Sequence, residues 1–113
     1  MSESIPDLEL IEIEKRLDGF AKSELARHVS SQMIDGLVRY VGCGVLPDSF
    51  LSAVLENDLV AAFELADDQN KAAMKYWAEL LRSEIPRAAW GNAENVEQWC
   101  RTGGLLGRRL IGR

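Results

Sequence analysis

Apolar positions are densest between Tyr40 and Asp68, in YVGCGVLPDSFLSAVLENDLVAAFELADD, and this stretch carries its own start and stop signals. Gly42 and Gly44 tolerate positive φ and so suit the end of a helix. Pro47 fixes its own φ and biases Leu46 away from the helical region. Asp48 or Ser49 then caps a new helix by accepting a backbone N–H bond. In that helix Phe50, Leu51, Val54 and Leu55 fall on one face. Asn57-Asp58 supplies a second cap, after which Leu59, Ala62, Phe63 and Ala66 recur at helical spacing. Two helices this short are not stable alone, so the pattern predicts further helices covering their apolar faces.

The flanking segments read the same way. Met1–Pro6 is expected to be a loose lead. DLELIEIEKRL, residues 7–17, has both strand-like alternation and a helical stripe of Leu10, Ile13, Leu17 and Phe20. Helix is the preferred reading, because acids come early and Lys15 and Arg16 late, matching the helix dipole. Ala21–Val29 continues the pattern past Gly19, which breaks or only weakens the helix. A fresh helix runs from about Ser31 to Val41 with Ile34, Leu37, Val38 and Val41 inward. Asp67 caps a long helix, about Asp68–Glu84, with Met74, Trp77, Ala78, Leu81 and Ile85 as its buried stripe, and Pro86 stops it. PRAAWGN is a loop. Asn92 caps a last helix to about Arg101, with Val96, Trp99 and Cys100 inward, and Gly103-Gly104 ends it. The expectation is an all-α fold: a compact bundle of about five or six short-to-medium helices, one domain over residues 1–102, with a basic glycine-containing tail over 103–113.

Composition narrows the picture. Apolar residues make up 47% and charged residues 27% of the chain, as in ordinary globular domains. The formal net charge of −5 is unevenly placed: residues 1–60 hold 11 acids against 5 bases, residues 61–100 hold 7 against 4, and residues 101–113 hold 4 arginines and no acid. An acidic body disfavours a broad nucleic-acid footprint, which needs cations against phosphates. Nucleic acid is therefore the less favoured partner, reached only by the tail through Arg101, Arg108, Arg109 and Arg113. No apolar run approaches the ~20 residues that span a bilayer, and no secretory segment opens the sequence. Cys43 and Cys100 have no motif spacing. A cytoplasmic protein with reduced thiols is the expectation by default, and a disulfide between the two stays open.

A series of spaced residues carries a resemblance: Tyr40, Gly44, the Pro47–Phe50 turn, Ala53-Val54-Leu55, Asn57-Asp58-Leu59, Ala62, Ala66-Asp67, Asn70, Pro86, Trp90-Gly91, Val96 and Trp99. Over about Leu37–Trp99 the chain resembles a family of small bacteriophage and prophage proteins with no established activity. The resemblance implies a phage-encoded setting, hence a host bacterial cytoplasm, and no mechanism. Small phage proteins are often accessory factors that bind and disable or redirect a host component, an association rather than a derivation.

Candidate chemistry is sparse. His28 is the only histidine, and no ligand or nucleophile motif surrounds it, so it reads as a helix-end cation or plain surface. Cys43 sits at a helix C-terminus, whose dipole does not favour a thiolate. Cys100 reads as core. Asp67 and Asp68, with Glu64 nearby, would serve a metal or an acid–base pair, but a cap and first-turn charge account for both aspartates. The tail lacks the lysine-serine/threonine ending of a phosphate-binding loop and has no preceding strand. No catalytic residue, metal site or cofactor follows, and the expectation is a protein that is not an enzyme.

Binding is the remaining class. Trp90 and Arg87 lie in a loop, a common setting for recognition, and Tyr40 lies beside the Gly44 turn, so these three are the expected contact patch for a host protein or small ligand. The favoured function is a non-enzymatic accessory protein of host-takeover or anti-defence type; the alternative is a nucleic-acid-associated regulator acting through the arginine tail. Apolar Leu8, Leu10, Ile11, Ile13 and Leu17 add an expected homodimer through the first helix.

Overall fold

The computed structural model describes the backbone of residues 8–111 and the side chains of residues 15–108. Every regular element among them is helical. In order they are α1 (Leu8–Ala21), a 3-10 turn (Leu25–Arg27), α2 (Ser31–Cys43), α3 (Ser49–Leu55), α4 (Leu59–Leu65), α5 (Asp68–Ala72), α6 (Met74–Glu84), a second 3-10 turn (Arg87–Ala89), α7 (Ala93–Thr102) and α8 (Gly104–Ile111). The all-α class holds, but the eight α-helices exceed the five or six expected. Two differences account for this. The helix expected over Asp68–Glu84 breaks at Ala73, and the tail expected after Gly103 continues as α8. A third correction leaves the count unchanged: Ala21–Val29 is a turn with a short 3-10 segment.

Capping side chains set most boundaries. Ser30, Asp48, Asp58, Asp67 and Asn92 each accept a backbone N–H three residues on, opening α2, α3, α4, α5 and α7. Gly44 closes α2 in the left-handed conformation, φ 75°, with the Val45 N–H reaching back to the Arg39 carbonyl at 3.4 Å. Asn57 does the same for α3 at φ 64°, where its own N–H donates to the Val54 carbonyl and that of Asp58 to the Ala53 carbonyl. Asn is among the few residues that adopt this conformation cheaply.

One hydrophobic core runs through the molecule. Trp77, Trp99, Tyr40, Phe20, Leu25 and Leu37 are its largest buried side chains. Its two fully buried indoles are paired: Trp77 Nε1 donates to Asn70 Oδ1 at 3.1 Å, and Trp99 Nε1 donates to the Tyr40 carbonyl at 2.9 Å. The first bond explains buried Asn70, since an unpaired indole N–H would cost about 1–3 kcal/mol there.

α2 is the central rod, packed by α1 and α8; α8 also touches α7 and α1. The α2–α8 crossing is made by glycines. A Cβ on Gly104 would stand 2.7 Å from the Gly42 carbonyl carbon and from the Gly44 nitrogen. Backbones meet here with no side chain between them. On the expected self-association face, Leu17 is half-buried against the Gly42 backbone; the side chains of Leu8, Leu10, Ile11 and Ile13 lie outside the described residues.

α4 packs on α3 and stands at the margin. Ala62 is its buried residue, whereas Leu59 is 65%, Val60 67% and Phe63 42% exposed. The expectation that Leu59 and Phe63 face the core is therefore corrected. Small Ala62 allows close approach, so α4 turns that side inward and leaves its larger apolar side chains outside.

Candidate functional site

The loop predicted to carry recognition is held at three consecutive residues. Tyr40 Oη donates to the Ala89 carbonyl at 2.7 Å, Asn95 Nδ2 donates to the Trp90 carbonyl at 2.9 Å, and the Gly91 N–H donates to the Leu55 carbonyl at 2.8 Å. These partners lie on α2, α7 and α3, so three elements fix one short segment. Gly91 has φ 117°, which few side-chain-bearing residues adopt. Trp90 is thus presented from a rigid support, and ordering it on binding costs little.

Its surroundings form a groove. The Arg87 guanidinium lies 5.4 Å from the Trp90 ring centroid, within cation–π range. Trp90, Arg82, Leu81, Ala78 and Asn57 line an open cavity of about 310 Å³. Beside it, a cavity of about 100 Å³ shares Asn57, Ala78 and Leu81 and continues to Leu59, Met74 and Trp77. The two adjoin through these shared residues and together reach along α6 from Trp90 to Leu59 and Ala62 of α4. Left-handed Asn57 sits where they meet. The Trp90 Nε1 atom is buried and has no acceptor among the described residues.

Of the expected contact patch, Arg87 and half-buried Trp90 come together on this groove. Tyr40 does not join them at the surface: it is completely buried. Its phenol holds the loop from beneath, and burial pushes its pKa up. That corrects its expected role from contact to support.

The described tail arginines make contacts within the chain. Arg101 pairs with Glu97 at 2.8 Å, and Arg108 lies over the Trp99 ring at 4.4 Å with its Nε buried. Two of the four proposed phosphate contacts are thereby engaged within the chain. The side chains of Arg109 and Arg113 lie outside the described residues. His28 stacks on Tyr76 with centroids 4.1 Å apart and stands 3.1 Å from Glu24. Cys43 is exposed, Cys100 is half-buried, and both thiols are free. Burial raises the Cys100 pKa. Among the described residues no group of three His, Cys, Asp or Glu side chains is placed to hold a metal ion. No helix among them is long and apolar enough to cross a membrane.

No protein-family model, curated protein or solved structure matches the chain. Its function is therefore argued from the groove alone. The sequence pattern singles out Arg87 and Trp90, which the structure places side by side, and does not single out the α4 wall. The available signal was that Leu59, Val60, Phe63 and Leu65 fall on more than one side of a single short helix, so no packing could bury them all.

Proposed function

We propose that this chain is a non-enzymatic, phage-encoded accessory protein that binds a host protein through the groove between Trp90 and α4. The observation that carries the proposal is the threefold fixing of the Ala89–Gly91 backbone, which presents an aromatic ring with a stacked arginine beside an apolar depression. Rigid aromatic and arginine groups at the rim of a pocket are the features that dominate binding energy at protein interfaces. A protein partner fits better than a small ligand, because the depression is open and continues onto exposed α4 side chains rather than enclosing a volume. A reading centred on nucleic acid is weaker, since the chain carries a net charge of −5 and Arg108 lies over the Trp99 ring with its Nε buried.

The test is affinity capture from a bacterial lysate. The native chain should retain a specific protein, and an Arg87→Ala/Trp90→Ala double variant should lose it while keeping its helical circular dichroism. Equal capture by a folded double variant contradicts the proposal.

A further inference from the structure

The α4 end of the groove has a distinctive charge. From Glu56 to Asn70 the sequence holds five acids, Glu56, Asp58, Glu64, Asp67 and Asp68, and no base. The last four are exposed. Among the described residues none of the five forms an ion pair with a basic side chain. Asp58 and Asp67 each use one oxygen to cap a helix. In sequence these acids flank the apolar Leu59, Val60 and Phe63, with Lys71 the first base to follow, and Asp58 lines the same cavity as Leu59. Arg82 and Arg87 stand near the opposite, Trp90 end, beside Glu79.

We infer that the occupant of this groove is a cationic amphipathic helix of a partner protein. An aliphatic or aromatic side chain of that helix enters the cavity of about 100 Å³ beside Leu59, and its lysines or arginines lie over the α4 and α5 acids. This rests on the groove being a protein-binding site and adds the chemistry of what fills it. The argument is complementarity: an apolar strip beside acids that form no ion pair among the described residues selects an apolar strip edged by positive charge and repels an acidic one. The concentration of acids near α4 also sets direction, with the partner's basic flank at α4 and not at Trp90. A second copy of this chain fits poorly, because α8 packs on α2 and its Arg108 lies over the Trp99 ring with Nε buried.

The test selects displayed random peptides of ~12 residues, long enough for a helix-in-groove contact, on the immobilised full-length chain. Enriched peptides should carry Lys or Arg flanking apolar residues spaced by three or four. Their binding should weaken as salt rises, disappear with Leu59→Asp and fall roughly tenfold with Glu64→Lys/Asp68→Lys. None of these substitutions removes a helix cap or a core side chain. Enriched peptides that need Leu59 and Trp90 but are neutral or acidic overturn the cationic assignment and leave the groove standing. Absent enrichment, or peptides indifferent to both Leu59→Asp and Trp90→Ala, overturn the inference and the groove together. Sedimentation equilibrium supplies the last arm: a dimer dispersed by Leu59→Asp assigns the face to a second copy instead.

Discussion

The Tyr40 residue ties three parts of the chain together. Its carbonyl accepts the Gly44 N–H that ends α2 and the indole N–H of Trp99 on α7, each at 2.9 Å. Its phenol donates to the Ala89 carbonyl. Tyr40→Phe leaves that buried carbonyl without a partner, so the expected loss is about 1–3 kcal/mol, read by urea denaturation. The same residue imposes a pH dependence. Burial raises the Tyr40 pKa from 10.0, so the folded chain keeps this proton where the unfolded chain releases it. The stability it confers is complete below about pH 10 and declines above that. Cys100, raised from 9.0 by burial, acts in the same direction from a lower pH. The Phe variant should therefore be the less stable protein at neutral pH, with the gap narrowing above pH 10. A constant gap would mean that the phenol is not buried as described.

At the scale of elements, the glycines separate into those that make contacts and those that do not. Gly104 combines φ 71° with a backbone crossing that leaves no room for a Cβ. Gly104→Ala should cost at least about 2 kcal/mol by forcing α8 from α2. Gly36, inside α2, has nothing within 4 Å of a notional Cβ. Gly36→Ala should stabilise by roughly 0.5–1 kcal/mol, because alanine favours helix. Thermal denaturation of the pair checks both signs. This contrast also marks the limit of sequence reading. The caps at Asp48, Asp58, Asp67 and Asn92 were legible because they act within three residues of themselves. Gly44 was legible as a stop, but its approach to Gly104 lies 60 residues away in sequence and leaves no local signal. The break at Ala73 was likewise invisible, since alanine is the best helix former and nothing nearby opposes helix.

For the whole molecule, shape governs what stays uncovered. The principal extents are 50 × 29 × 20 Å and the radius of gyration is 14.5 Å, against roughly 13 Å for a rounder domain of this length. A body so thin cannot enclose every apolar face, and among the described residues α4 is the helix that leaves most of its large apolar side chains outside. Its side chains contribute little to folding, so Leu59→Asp or Phe63→Asp should shift stability by only about 0.5 kcal/mol while abolishing partner binding. A large stability loss would show that α4 belongs to the core. The site was half legible. Arg87 and Trp90 announced themselves as an aromatic and a cation in a loop, whereas Tyr40 looked like a neighbour of the turn and proved to be its internal support. Helical periodicity reports that a face is apolar; it does not report whether the remaining helices reach it.

The three tryptophans offer the most direct measurement. Trp77 and Trp99 are buried in the core, Trp77 lining the groove and Trp99 lying beneath Arg108, while Trp90 stands at the groove itself. With fluorine-labelled tryptophan, titrating the protein captured from the lysate should shift the Trp90 resonance most, Trp77 less and Trp99 least. A shift confined to Trp99, with Trp90 unmoved, would place binding on the α8 side and contradict the account.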